Sequence, residues 1–362
     1  MHSSVYKKVG IASAVMMASV FLSRVVGLLR EMAIAYMAGA GKEVDAYQIA
    51  FILPEILNHV VATGFLSVTF IPLFTRRLVR STEAEAWRVF SIVLCVFGSL
   101  ALGVVAVSMA LAPQLVALAA PGLEEPETLA AAVRMTRIIL PAQFFFFAGG
   151  LLMAVQFARE RFFLPALAPL IYNLGIIAGG ILLAPWLGIE GFAWGVLAGA
   201  VGGNFLLQWA GARRSGMRFQ PAWQWTHPDV KEYLRLTAPL MLGLTMTFST
   251  EFFFRFFGSY LPAGSIAVLN FSLRVMLILV GVFGQAVGTA SFPYMARLAA
   301  EDNLGDLNRL LNRTLRYLAL VIPVAALLMV LSPEVVRILF QRGRFDPAAA
   351  RVTADVLVWF LA

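Results

Sequence analysis

The chain has 362 residues, of which 60% are hydrophobic and 13% are charged, and its mean hydropathy is +0.83. Average soluble domains carry about 25% charged residues, so this composition excludes an ordinary soluble protein. The net charge of +8 is therefore informative through its placement between apolar segments, as a signal of membrane topology rather than of nucleic-acid binding.

Apolar runs of about 20 residues, the length that crosses a bilayer as a helix, recur from one end of the chain to the other. They predict an all-α, polytopic membrane protein. Residues 1–22 resemble a signal peptide, but the apolar core continues without a clear cleavage site, which indicates a retained first helix. The predicted spans are 11–37, 46–74, 89–112, 129–157, 163–186, 190–211, 231–258, 265–295, 307–332 and 348–362.

Basic residues fall at every second connection between these spans, beginning with Lys7 and Lys8 before the first. The intervening connections are acidic or uncharged, apart from 333–347, which carries arginines. Because connections rich in lysine and arginine stay in the cytoplasm, the pattern predicts a cytoplasmic N-terminus.

The longest polar connection, 212–231, separates six spans from the remainder. We therefore expect an N-terminal lobe of six helices at 1–212, a cytoplasmic linker at 213–230 and a partial C-terminal lobe at 231–362. A faint repeat supports two lobes, because the second and eighth spans both end with a proline followed four residues later by an arginine, and such repeats place transport sites between two bundles. The chain stops at Ala362 inside an apolar run, as expected of a truncated chain.

Charged residues interrupt the first span at Arg24, Arg30 and Glu31. A charge at bilayer depth costs at least about 2.5–3.5 kcal/mol, so it usually faces a partner, a cavity or a substrate. On an ideal helix Arg24, Gly27 and Glu31 share one face, with Arg30 away from it, and Gly27 leaves space beside Arg24. Two interpretations remain: a buried Arg–Glu pair that locks this helix to a neighbour, or a cationic seat for an anionic substrate.

Further ionisable residues lie in later spans. Glu55 and His59, and likewise Glu251 and Arg255, stand four residues apart, as expected of pairs that neutralise each other within one helix; the first pair could alternatively be a proton site. Arg274 has no acid within a helical turn, so its counter-charge is expected from another helix or from a ligand. Arginine grips phosphate oxygens through its planar fork, so the cations of the first and eighth spans suit a lipid with a diphosphate head group.

Motifs of enzymes are absent from the sequence. No phosphate-binding loop of the Gly-x-x-x-x-Gly-Lys-Ser/Thr type occurs, and the histidines at 2, 59 and 227 show no metal-ligand spacing. The single cysteine, Cys95, excludes an internal disulfide framework. We therefore expect no enzymatic activity, no cofactor and no metal, and the lack of a filter-like loop disfavours a channel.

A series of motifs along the chain resembles one family. Ser-Arg-x-x-Gly-x-x-Arg-Glu opens the series at 23–31, and Arg-Gly-x-Phe closes it at 342–345. Together the motifs resemble the MurJ (MviN) family of the multidrug/oligosaccharidyl-lipid/polysaccharide flippase superfamily. The intervening motifs lie at 39–41, 44–47, 50–54, 64–72, 161–166 with Pro169 and Asn173, 264–274, and 281–293.

The resemblance implies a two-lobed transporter of fourteen helices with a fold similar to that of multidrug MATE transporters, about ten of which would be present here. It implies a flippase that moves lipid II, the undecaprenyl-diphosphate-linked cell-wall precursor, from the inner to the outer leaflet of the bacterial plasma (inner) membrane by alternating access. Lipid II and membrane lipids would be its partners, with the cell-wall synthesis machinery as a further candidate and no nucleic acid. The implied substrate-binding residues are Ser23, Arg24, Gly27, Arg30, Glu31, Asp45, Glu55, Asn58 and Arg274.

The sequence also departs from the pattern of that family. Asn58 stands where the family has a cavity arginine, Thr63 where it has a glutamate, and Leu273 where it has an acid beside the eighth-helix arginine. Phe248 and Phe254 replace two polar residues that the family uses in sodium binding, so sodium coupling through that site is not expected. These departures leave open a flippase for another polyprenyl-diphosphate-linked oligosaccharide, of the O-antigen or exopolysaccharide type, or a non-transporting membrane scaffold for glycan synthesis.

Overall fold

The computed structural model describes the backbone of residues 2–61, 69–281 and 286–362. Within these ranges, the regular elements are all helices, in agreement with the predicted all-α class. Side chains are described throughout these ranges except at 2–9, 11–13, 60–61, 241–250, 286, 288–290 and 293. The helices are α1 (His2–Ala38), α2 (Lys42–Ile49), α3 (Ile52–Val61), α4 (Ile71–Arg80), α5 (Glu83–Ala110), α6 (Ala112–Ala119), α7 (Pro126–Ile139), α8 (Ala142–Ala158), α9 (Phe163–Leu187), α10 (Glu190–Gly199), a π-helical segment (Ala200–Leu206), α11 (Leu207–Arg214), α12 (Pro228–Gly258), α13 (Ser265–Leu279), α14 (Ala286–Ala300), α15 (Leu304–Ala319), α16 (Val321–Val330), α17 (Ser332–Leu339) and α18 (Pro347–Leu361).

The helix bounds follow the predicted spans closely where both can be compared. Four helical stretches of the described chain are long and apolar enough to cross a membrane, and α13 is a shorter apolar helix. Those four stretches are Glu83–Ala110, Pro126–Ala158, Phe163–Leu187 and Leu304–Val330. The predicted spans 46–74 and 265–295 each include residues outside the described ranges, so their continuity is not among the described features.

A proline explains why the predicted second span begins as two helices. Pro54 has no N–H, so it cannot donate to the carbonyl of Ala50 one turn earlier, and α2 ends at Ile49. The hydroxyl of Thr136, on α7, donates to the carbonyl of Ala132 at 2.7 Å and lies 3.4 Å from the carbonyl of Ala50. The break between α2 and α3 therefore lies against a polar side chain of α7.

The contacts divide the chain into two compact units, which are described separately below. The first unit comprises Met1–Ile34 and Lys42–Ala263, and the second comprises Ala35–Gly41 and Gly264–Ala362. Helix α12 therefore belongs to the first unit, whereas the predicted lobe boundary lies before it, at 213–230. The division into lobes at 1–212 and 231–362 therefore remains a prediction, separate from the two compact units.

Polar contacts at both ends hold α12 in the first unit. Near its beginning, the guanidinium of Arg77 donates to both carboxylate oxygens of Asp229, at 2.9 and 2.7 Å. Near its end, the backbone N–H of Gly122 donates to the hydroxyl of Ser259 at 3.0 Å. Because Asp229 is only 1% exposed, its bidentate pairing with Arg77 is a shielded ion pair with well-defined geometry.

Helices α9 and α10 pack through interlocking glycines. A Cβ atom on Gly179 would lie 2.4 Å from the Cα atom of Gly195, and a Cβ atom on Gly195 would lie 2.7 Å from the carbonyl oxygen of Gly175. Membrane helices gain little from hydrophobic burial against each other, so small residues at four-residue spacing let their backbones approach and pack. The glycines of this interface are Gly175, Gly179, Gly191, Gly195 and Gly199.

Replacing Gly195 by alanine is expected to destabilise the first unit, because the added methyl group collides with backbone atoms that cannot rotate away. Overpacking of this kind typically costs about 1–3 kcal/mol. Gly103→Ala is the matched control, since no atom lies within 4 Å of a Cβ at Gly103 on α5. Thermal unfolding in detergent should show a lower midpoint for Gly195→Ala and an equal or higher midpoint for Gly103→Ala; equal midpoints would contradict the interlocking model.

In the second unit, the Arg-Gly-x-Phe motif forms a turn against the end of α1. Gly343 has a φ of 60°, and a Cβ there would lie 2.3 Å from the carbonyl oxygen of Tyr36. The N–H of Arg344 donates to that same carbonyl at 2.9 Å. Phe345 then enters a buried aromatic cluster with Phe271 and Phe340, with ring centroids 5.0 to 5.9 Å apart. The motif therefore requires glycine for the left-handed turn and phenylalanine for the core.

Candidate functional site

The first charged cluster lies where α1 meets α9. The guanidinium of Arg30 donates to the side-chain oxygen of Asn173 at 3.0 Å and also to the carboxylate of Glu31. The amide nitrogen of Asn173 donates to the carbonyl of Pro169 at 2.9 Å and approaches the hydroxyl of Ser23 at 3.5 Å. We call Arg30, Glu31, Asn173 and Ser23 the first-helix cluster.

The residues of α1 that contact α9 include Gly27, which the sequence places on the same helical face as Arg24 and Glu31. Ser19 donates to the carbonyl of Ala166, and a Cβ on Gly27 would lie 3.9 Å from the side-chain oxygen of Asn173. With Ser23 and Arg30, these residues recur every three or four positions and form one helical face. Arg30 was expected away from the face of Glu31, but its long side chain bends back to the neighbouring carboxylate. Arg24 is exposed.

Burial makes the Arg30–Glu31 pair electrostatically significant. Glu31 is only 2% exposed, and the Nε atom of Arg30 is buried with no hydrogen-bond partner among the described residues. Tyr47 and Tyr172 lie close enough to interact electrostatically with Arg30. A buried guanidinium with an unsatisfied N–H group retains the capacity to bind a further oxygen ligand.

The second charged cluster joins α3 to α12. Arg255 contacts both carboxylate oxygens of Glu55, in a bidentate arrangement whose Nη2–Oε1 distance is 3.1 Å. Arg255 is 5% exposed, and Glu31 and Glu251 also interact with it electrostatically. The sequence pattern predicts local pairs, Glu55 with His59 and Glu251 with Arg255, but the strong ion pair forms between helices. The Nδ1 atom of His59 lies 2.8 Å from the backbone carbonyl oxygen of Glu55.

Glu31 brings the two clusters into one electrostatic network. It is paired directly with Arg30 and lies within Coulombic range of Arg255. Both guanidiniums are thus oriented by carboxylates on the first and second spans. An anion with more charge than a carboxylate, such as a diphosphate, can compete with Glu31 and Glu55 for the guanidinium groups of Arg30 and Arg255.

The remaining predicted site residues are distributed over both units. Asp45 is 4% exposed on α2 of the first unit, and Asn58 is half-buried on α3. Arg274 is half-buried on α13 of the second unit, where the hydroxyl of neighbouring Ser272 donates to the carbonyl of Thr353 at 2.8 Å. Thr63 and the side chain of Phe248 lie outside the described residues, as do the motif at 64–68 and the side chains of 288–290 and 293.

Two contributors to the site were not among the predicted site residues. In the sequence Asn173 stands out only as part of a motif, and the spacing of Glu251 and Arg255 predicts that Arg255 is neutralised within its own helix. A buried asparagine four residues after Pro169 in an apolar helix is a signal for Asn173, because intramembrane polar residues usually have a partner. For Arg255 the sequence offers no comparable signal, since its partner lies 200 residues away.

Comparison with known proteins decides the family. A model of the lipid II flippase MurJ family matches residues 34–362. The chain belongs to the lipid II flippase MurJ family. The match begins after the motif at 23–31, so the charged residues of α1 do not contribute to it.

Curated relatives in the MurJ family match nearly the whole chain. The probable lipid II flippase MurJ of Buchnera aphidicola subsp. Baizongia pistaciae is 27% identical over 351 residues, covering 94% of this chain and 67% of the relative. The lipid II flippase MurJ of Burkholderia cenocepacia is 28% identical over 348 residues, with 94% and 67% coverage. The chain therefore spans about two thirds of the length of these curated relatives.

Solved structures agree with the family assignment. A lipid II flippase MurJ in an inward closed conformation superposes with a TM-score of 0.80 at 25% identity, covering 95% of this chain and 71% of that one. An inward-facing multidrug resistance MATE family transporter of the MOP superfamily gives a TM-score of 0.69 at 15% identity, covering 92% and 76% of the two chains. This second similarity concerns the fold alone.

These matches confirm the predicted family and the predicted fold class, a polytopic helical membrane protein with a fold similar to that of MATE transporters. They also confirm the function predicted from the family resemblance, because the family model, the relatives and the structural neighbour all carry the name lipid II flippase. None of them supports the alternative oligosaccharide flippase or the scaffold. Members of the MurJ family are bacterial membrane transporters rather than enzymes.

Proposed function

We propose that this chain moves lipid II from the inner to the outer leaflet of the bacterial plasma membrane by alternating access, and that its buried arginines hold the diphosphate of the substrate. Membership of the MurJ family supports the substrate. The observation that carries the site is Arg30, which is held between Asn173 and Glu31 inside an apolar helix with one N–H group unsatisfied.

The carboxylates have a defined role in this proposal. Without substrate, Glu31 and Glu55 neutralise and orient the guanidiniums of Arg30 and Arg255, which avoids the cost of isolated charges at bilayer depth. A diphosphate offers more negative charge and more acceptor oxygens, so it can replace a carboxylate at each fork. Release then restores the Arg–Glu pairs, which favours a return to the empty state.

The remaining site assignments belong to the same proposal. Arg24 and Arg274 keep the substrate-binding role that the family resemblance implies, as do Ser23, Gly27, Asp45 and Asn58. The N-terminus lies in the cytoplasm, because the basic connections follow the second, fourth, sixth and eighth predicted spans. The cell-wall synthesis machinery is proposed as a partner that supplies and consumes the lipid.

Complementation in a bacterium depleted of its own MurJ tests this function. The complete protein should restore growth, whereas Arg24→Ala and Arg274→Ala should fail at equal membrane expression. Arg297→Ala is the matched control, because Arg297 is 78% exposed and pairs only locally with Glu301. Failure of the well-expressed parent would contradict lipid II as the substrate, and rescue by every arginine variant would contradict the proposed site.

A further inference from the structure

A polar crevice lies at the end of the first unit where α8 turns into α9, beside the end of α11. Its volume is about 430 Å³, within the range of small-molecule sites. Arg161 and Arg214 line it together with Glu160, the buried amide of Gln156 and the ring of Phe163. The crevice is separate from the first-helix cluster, since Asn173 lies ten residues beyond Phe163 on α9, about 15 Å along the helix.

Hydrogen bonds fix the shape of the crevice. Glu160 adopts a left-handed φ of 57°, and the N–H of Arg161 donates back to the carbonyl of Gln156 at 2.9 Å, which closes the turn between α8 and α9. The side chain of Gln156 donates to that of Gln208 at 3.0 Å, and Gln208 donates to the carbonyl of Leu164 at 3.1 Å. Both glutamines are almost fully buried, so the floor of the crevice is preformed.

The arginines of the crevice differ from their neighbours in their pairing. Arg76, Arg77 and Arg159 each form an ion pair with a carboxylate of the first unit. Among the residues that the structure describes, Arg161 and Arg214 form no ion pair, although Glu160 lies in the same crevice. Two guanidiniums therefore converge on one preformed space with their hydrogen-bond donors available.

We propose that this crevice binds the phosphate group of an anionic membrane phospholipid. The chemistry favours a lipid over a free anion, because Phe163 is 64% exposed beside the arginines and offers an apolar surface for the glycerol and acyl chains. Basic pockets between transmembrane helices at the membrane surface are suited to such head groups. The site is independent of lipid II transport, and it anchors the turn between α8 and α9 at the membrane surface.

Native mass spectrometry of the complete protein, titrated with phosphatidylglycerol, tests the site. The variant Arg161→Ala/Arg214→Ala should bind the lipid about tenfold more weakly or worse, as expected for the loss of two surface cations. The matched control Arg80→Ala/Arg88→Ala removes two exposed arginines outside the crevice and should leave binding unchanged. Equal binding by both double variants would overturn the proposal.

A variant that binds phosphatidylglycerol more tightly than the parent cannot be explained by misfolding. Glu160→Gln removes the one carboxylate from the crevice, so it should strengthen phosphatidylglycerol binding several-fold. Phosphatidylcholine should bind much more weakly, and millimolar inorganic phosphate should not displace the anionic lipid. Equal binding of phosphatidylcholine, displacement by phosphate, or no effect of Glu160→Gln would each contradict a phospholipid head-group site.

Discussion

Arg30→Ala is expected to abolish complementation of a MurJ-depleted strain. The substitution removes the fork that we assign to the diphosphate, and it also deprives the carboxylate of Glu31, only 2% exposed, of its paired guanidinium. Breaking a buried ion pair from one side costs about 3–5 kcal/mol in well-studied cases. Loss of growth alone therefore does not separate substrate binding from a structural lock between α1 and α9.

A second substitution separates the two roles of Arg30. In Arg30→Ala/Glu31→Gln the uncompensated charge is gone, so the unfolding midpoint in detergent should recover most of the loss. Growth should nevertheless remain absent, because the guanidinium of Arg30 that we assign to the diphosphate is missing. Arg297→Ala should behave as the parent in both measurements, since its side chain is 78% exposed. Normal growth of the double variant would show that the Arg30–Glu31 pair has only a structural role between α1 and α9, and it would contradict a role of Arg30 in substrate binding.

The ion pair between Glu55 and Arg255 is expected to produce the largest stability effects in the chain. Glu55→Leu and Arg255→Met should each lower the free energy of unfolding by about 3–5 kcal/mol, because each removes one side of a bidentate ion pair whose arginine is buried. Arg255→Met should be the more damaging, since Glu251 and Glu31 also lose a compensating cation. The double variant Glu55→Leu/Arg255→Met should recover much of the loss.

Denaturant unfolding of the parent, the two single variants and the double variant in detergent micelles would measure these changes in stability. The exposed pair of Arg297 and Glu301 supplies the control, because pairs of this kind contribute less than about 1 kcal/mol. A double variant as unstable as the sum of the single variants would show that Glu55 and Arg255 act independently. Unchanged stability in both single variants would show that the pair contributes nothing to the fold.

The helices could be predicted from the sequence because their signals are local. The predicted span 163–186 corresponds to α9, Phe163–Leu187, and 231–258 corresponds to α12, Pro228–Gly258. An apolar run bounded by polar turns specifies a membrane helix without any knowledge of its neighbours. The break after Ile49 follows equally locally from Pro54.

The partners of the charged residues could not be predicted in the same way. The i,i+4 spacing of Glu55 and His59 is a valid local rule, but Arg255 offers a stronger, bidentate partner from another helix. The contact of Arg30 with Asn173 could not be predicted either, because it depends on which face of α1 packs against α9. The choice of partner for each charged side chain depends on how the helices pack, and the residue spacing within one helix does not determine that packing.

The assignment of α12 to the first unit determines where the chain connects the two units. Contacts of Arg77 and Gly122 hold the two ends of α12, so the polar segment 213–230 begins and ends in the first unit. The chain passes between units near residues 34, 41 and 263. The first passage lies inside the continuous helix α1, and the other two adjoin Gly41 and Gly264. The segment that looks most like an interdomain linker in the sequence is therefore internal to one unit, and the chain connects the units through one helix and beside two glycines.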